Sequence, residues 1–138
     1  MGTLVEYRKM PDRDTVYRLL IFSKDISEIA SAAVAMNKRI ASELVGMKPI
    51  RRTLMLEKCF VNVIQSLPEH SVIKDIDVLF NPVYKVDVMK LLVSAYKQKS
   101  FSLVWPGSYA DGKLTYSEEG YPDYRVYEIN DYDIMYVI

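Results

Sequence analysis

With 138 residues, half of them apolar and 26% charged, the chain has the size and composition of one globular domain with its own core. Basic and acidic side chains balance at 18 each, so no overall field draws the molecule to nucleic acid or to an anionic membrane. One cysteine, Cys59, and one histidine, His70, exclude an internal disulfide and a zinc site of repeated ligand spacing.

Residues 1–12 carry no apolar signal-peptide core, and no apolar run approaches the length of a membrane span. With a single thiol, the expected setting is the reducing cytoplasm, away from any membrane. In chain order, a polar lead-in containing Pro11 gives way to Val16–Phe22, an apolar run of strand length. Ser23-Lys24-Asp25 turns the chain. Asp25 then reads as an N-cap, with Glu28 three residues on completing a capping box. Ile26, Ile29, Ala30, Ala33, Ile40 and Leu44 recur at helical spacing and predict one long helix, ended by Gly46 at C′.

Thr53 to Ser66 is predicted mostly helical, with Cys59 a small core residue inside its apolar run. Ser71 to Phe80 reads as a strand with a kinked exit, broken by Asn81-Pro82. Val86, Met89, Leu92, Val93 and Tyr96 describe another helix, whose end is suited by the cations Lys97 and Lys99. Phe101–Trp105 is a further short strand.

Beyond Pro106 the chain becomes rich in glycine and tyrosine, with seven of the eleven tyrosines. Leu114–Tyr116 and Tyr124–Ile129 predict the arms of an antiparallel hairpin, and Ile134–Ile138 a last edge strand. The element order predicts a single α/β domain, residues 1–138. Its core, residues 16–105, is a short, mostly parallel sheet flanked by helices, and a β-rich tail follows over 106–138.

Trp105-Pro106-Gly107, Gly112 to Glu118 and Gly120 to Arg125 together resemble the C-terminal signature of the BrxF family, small P-loop proteins of the type 3 BREX phage-defence system of bacteria. Asp75 to Pro82 resembles that family's strand exit, and Val86 to Lys99 the helix after it. The likeness covers roughly the last seventy residues well and the first half in element order only. It implies a trimmed P-loop ATPase core in a component of a phage-defence assembly.

The first half departs from the family where the phosphate loop would lie. There the chain reads Ser23-Lys24-Asp25-Ile26-Ser27, and no glycine occurs between Gly2 and Gly46. A phosphate loop needs glycines so that successive N–H groups can turn toward the anion, and Asp25 would set a carboxylate against it. Lys74 occupies the place of the magnesium-holding acid, with Asp75 and Asp77 beside it. Alternate carboxylates at a strand exit serve as turn and cap residues more often than as metal ligands. Ser23, Lys24, Asp25, Lys74, Asp75 and Asp77 thus form a degenerate nucleotide site, with no catalytic residue, metal or cofactor expected.

Trp105, Tyr109, Tyr116, Tyr121 and Tyr124 divide between core positions and a protein interface, with base stacking a third use. Lys38 to Lys58 is basic and Asp111 to Asp133 acidic, a pattern of solvated faces or of patches that orient a partner. Arg51 and Arg52 are candidate nucleic-acid contacts. The expectation is a non-catalytic subunit that binds other defence proteins and that is compatible with self-association. An atypical ATP-binding protein or NTPase, and a nucleic-acid accessory module, stand as alternatives.

Overall fold

In the computed structural model, which describes all residues from Met1 to Ile138, a short strand β1 (Thr3–Val5) opens the chain. Two 3-10 turns, Tyr7–Lys9 and Arg13–Thr15, lead to β2 (Leu19–Phe22). Then follow α1 (Ser27–Ala32), β3 (Val34–Ala35), α2 (Asn37–Leu44), α3 (Pro49–Gln65) and β4 (Ser71–Lys74). Turns at Asp77–Phe80 and Pro82–Tyr84 precede α4 (Val88–Gln98) and β5 (Phe101–Val104). The chain ends with β6 (Ser108–Ala110), β7 (Lys113–Tyr116), β8 (Arg125–Glu128) and β9 (Ile134–Val137).

Six strands form one parallel sheet in the order β1-β9-β2-β5-β4-β3, and β6-β7-β8 form a separate antiparallel sheet. An α/β domain with helices on a parallel sheet and an antiparallel hairpin sheet is what the element order predicts. No helix is long and apolar enough to cross a membrane.

All four residues of β2 are buried because both of its faces are covered, which is why it reads as an unbroken apolar run. Leu19 and Ile21 point into the main core with Ile73, Phe101, Leu103 and Ile134, against α2, α3 and α4. Leu20, Phe22 and Val137 point the other way, into a small cluster covered by Ile26 at the cap of α1, by Ile29 within it, and by Tyr7 and Met10.

These two faces explain why the expected long helix is two. Its apolar stripe splits, with Ile26 and Ile29 burying on the small cluster and Ile40 and Leu44 on the main core. A single straight helix cannot lie on both sides of a sheet. Between the halves, Val34 pairs with Ile73 and Ala35 with Lys74, and the Met36 N–H donates to the Lys74 carbonyl at 3.0 Å. The open edge of β4 captures the chain and closes itself.

Further boundaries differ from expectation. Asp25 does not cap α1: the cap position is Ile26, without a side-chain hydrogen bond, and the Asp25 N–H is held by Ser23 Oγ at 3.2 Å. The strand predicted to Phe80 stops at Lys74, because Asp75 adopts a left-handed φ of 54° and Asp77–Phe80 coils. Gly46 stands where expected past α2, at φ 87°. Lys97 lies in the last turn of α4, but Lys99 serves a different helix, its Nζ donating to the carbonyls of Gln65 and Leu67 at the end of α3. The last strand is not an edge: β9 sits between β1 and β2, and β1, in the polar lead-in, takes the edge.

Trp105 fastens the small sheet to this core. Fully buried, it meets Phe80 and Tyr127 edge-on, and its Nε1 donates to the Thr115 carbonyl at 2.9 Å. Gly107 passes the same carbonyl so closely that an added Cβ would lie 1.7 Å from it. The tryptophan–proline–glycine run is therefore a packing device at one backbone atom. Gly107→Ala is expected to lose about 3 kcal/mol of stability, since backbone blocks the added methyl. Trp105→Phe, which removes the Nε1 bond to the Thr115 carbonyl and leaves space beside Phe80 and Tyr127, is expected to lose about 1–3 kcal/mol. Urea unfolding, followed by Trp105 fluorescence for the first and circular dichroism for the second, measures both; an unchanged midpoint in Gly107→Ala would contradict this seating.

Candidate binding cleft

In an open parallel sheet, ligands bind beyond the carboxyl ends of the strands where the strand order reverses. Here the order runs out from β2 on one side through β5, β4 and β3, and on the other through β9 and β1. A cleft of about 370 Å³ lies at that reversal, lined by Ser23, Lys24 and Asp25 after β2, Gly107, Ser108 and Tyr109 after β5, and Tyr136 of β9.

The turn after β2 is closed on itself. The Ser23 N–H donates to the Val137 carbonyl at 2.8 Å, the Ile26 N–H to the Ser23 carbonyl at 3.2 Å, and the Asp25 N–H to Ser23 Oγ. A phosphate cradle requires such donors to converge on the anion, and these are spent inside the protein. The helix that follows has only six residues, and Lys24 and Asp25 are both exposed at its approach.

Aromatic rings form the back of the cleft. Tyr136 is buried and stacks on Tyr109, centroids 4.9 Å apart and planes 25° from parallel. Burial chiefly, with the charge of Asp25 and the neighbouring Tyr109, raises the Tyr136 phenol, while Ser23 opposes the rise. Its hydroxyl therefore stays protonated in neutral solution. The Tyr109 hydroxyl accepts from the Gly112 N–H at 3.1 Å. The cleft thus offers one ammonium, one carboxylate, serine hydroxyls and a flat aromatic wall.

Lys74, Asp75 and Asp77 do not join this cleft. The Lys74 Nζ donates to the Ala30 carbonyl at 3.0 Å, so this side chain ties β4 to the last turn of α1. Asp75 is exposed in its turn. Asp77 accepts from Asn37 Nδ2 at 3.1 Å and from the Tyr116 hydroxyl at 2.8 Å, while Asn37 Oδ1 accepts from the Val78 N–H. No three His, Cys, Asp or Glu side chains converge as a metal would require.

The five aromatic candidates separate by burial. Trp105 belongs to the core and is no surface residue. Tyr116 stacks flat on Phe80 at 3.8 Å, its phenol raised by burial first and by the bond to Asp77 next. Tyr109 backs the cleft, Tyr124 is half-buried, and Tyr121 alone stands out, 60% exposed. Arg51 is exposed and Arg52 partly buried on α3, away from the cleft, and neither is in an ion pair.

Comparison with protein-family models, with characterised proteins and with solved structures finds no match for this chain. Two features went unread in the sequence. Asp111-Gly112, with φ of 50° and 79°, makes the two-residue turn between β6 and β7, and an Asp-Gly pair is the strongest short-range hairpin signal. Asp87 caps α4 and also accepts from the Tyr132 hydroxyl at 3.1 Å; the cap had a local signal, the tyrosine contact none.

Burial first, and the Asp87 carboxylate after it, push the phenols of Tyr127 and Tyr132 up to about 12 from the ordinary 10. Folding therefore favours the protonated rings. Their contribution is complete below pH 10 and is lost as pH climbs through about 12. The melting temperature is expected to hold to about pH 10 and fall between 10 and 12, with phenolate absorbance rising as the structure is lost, and less steeply in Tyr132→Phe. Ionisation of every tyrosine near 10 in a fully folded protein would contradict this assignment.

Proposed function

We propose that this chain is a non-catalytic subunit of a BREX-like bacterial phage-defence assembly, a degenerate nucleotide-fold core that acts by binding other subunits. The observation that carries the reading is the closed turn Ser23–Ile26, whose Ser23, Asp25 and Ile26 amides bond within the protein and whose exposed carboxylate would repel a triphosphate. The likeness of the tail to BrxF supplies the biological setting. The parallel sheet with β2 at its centre, and a cleft at its carboxyl end, accords with a trimmed P-loop ATPase core.

A second reading, an atypical ATP-binding protein, draws on that same cleft, where Lys24 and the Tyr109–Tyr136 stack would face a charged, planar ligand. Thermal shift separates the two. A ligand present at about 100 times its Kd adds about 2.7 kcal/mol to stability. ATP or GTP with magnesium, or a short DNA duplex, is expected to leave the melting temperature unchanged, while proteins encoded beside the gene are expected to co-purify with the tagged chain. A clear upward shift with ATP, abolished in Lys24→Ala, would replace the subunit reading with the second one.

A further inference from the structure

Two surfaces of opposite character remain without a role. At the start of α3, Ile50 and Leu54 stand one turn apart on one face of the helix, 76% and 79% exposed, with Val45 equally exposed at the end of α2. Aliphatic side chains so exposed add nothing to the core. Lys48, Arg51 and Lys58 surround them, and none is in an ion pair. The nearest acid on the helix, Glu57, accepts from Ser94 Oγ at 3.1 Å.

The other surface is the loop from β7 to β8. It turns through left-handed backbone at Ser117 and Gly120. The Tyr121 N–H donates to the Glu118 carbonyl at 3.1 Å, the Tyr124 N–H to the Tyr121 carbonyl at 3.1 Å, and Ser117 Oγ to Asp123 Oδ1 at 2.7 Å. These bonds hold an exposed tyrosine at the tip of a braced loop, with Glu118 and Glu119 beside it, exposed and unpaired.

We propose that the two surfaces bind each other between copies of this chain, the Tyr121 loop of one molecule resting on the Ile50–Leu54 face of the next. Tyrosine is among the residues that anchor interfaces, and a loop already braced loses little freedom on docking. Glu118 and Glu119 meet Lys48 and Arg51, which fixes orientation and makes association weaken with salt. Loop and face are different surfaces, so each contact joins the loop of one copy to the face of another. Two copies satisfy both surfaces when they dock reciprocally across a two-fold axis; a single contact instead leaves the pair one free loop and one free face, on which a ring or chain grows. The inference is independent of any defence role.

Sedimentation velocity across concentration and salt tests it, with Leu54→Asp and Tyr121→Ala as variants whose exposed positions leave circular dichroism and melting unchanged. Wild-type protein is expected to self-associate at low salt, and each variant alone to associate at least about tenfold more weakly. An equimolar mixture of the two variants is expected to give a heterodimer and nothing larger, because only the loop of Leu54→Asp and the face of Tyr121→Ala remain. Wild-type protein that is monomeric up to about 1 mM, where even a contact of about 4 kcal/mol would show, overturns the proposal. So does assembly that survives Tyr121→Ala, or a mixture no different from its parts.

Discussion

The parallel pairing of β9 with β2 governs the arrangement of everything around it. By inserting the C-terminal strand beside the first strand of the core, it makes β2 central, buries both of its faces, and sets the reversal of strand order where the cleft opens. The same pairing reaches one residue beyond the strand, where the Ser23 N–H bonds to the Val137 carbonyl. The first amide of the turn is thereby committed to the sheet. Without glycine to re-aim the next amides, the turn closes on Ser23 itself.

Polar and aromatic residues near the strand exits have structural duties. Lys74 bonds α1, Asp77 joins Asn37 to Tyr116, and Tyr136 packs behind the turn. Each of these links crosses between elements distant in the chain. The tail is bound in the same manner through Trp105 and Gly107 at Thr115, which fastens the small antiparallel sheet to the rest of the domain.

Much of the architecture could be read one residue after another. The apolar run at Leu19–Phe22, the glycine at 46 and the tail hairpin arms all carry their information in neighbouring side chains. The stripe from Ile26 to Leu44 misled for a definable cause: helical periodicity records that residues are buried together, and cannot record that half of them bury on the far side of a sheet. The site followed the same division. Ser23, Lys24 and Asp25 do line a cleft, but Tyr109, Gly107 and Tyr136 join them only through strand order, and Lys74, Asp75 and Asp77 are kept out of it by the intervening β5.

Local chemistry along the chain was sufficient for the class of fold, for most helices and strands, and for the lack of glycine in the turn after β2. Those properties depend on side-chain size, backbone freedom and periodicity within a few residues. Strand order, the split of the long helix, the burial of Trp105 and the exposure of Tyr121 and Leu54 came only with the assembled structure. They depend on which edge captures which segment, a competition between parts of the chain far apart in number that no local pattern encodes.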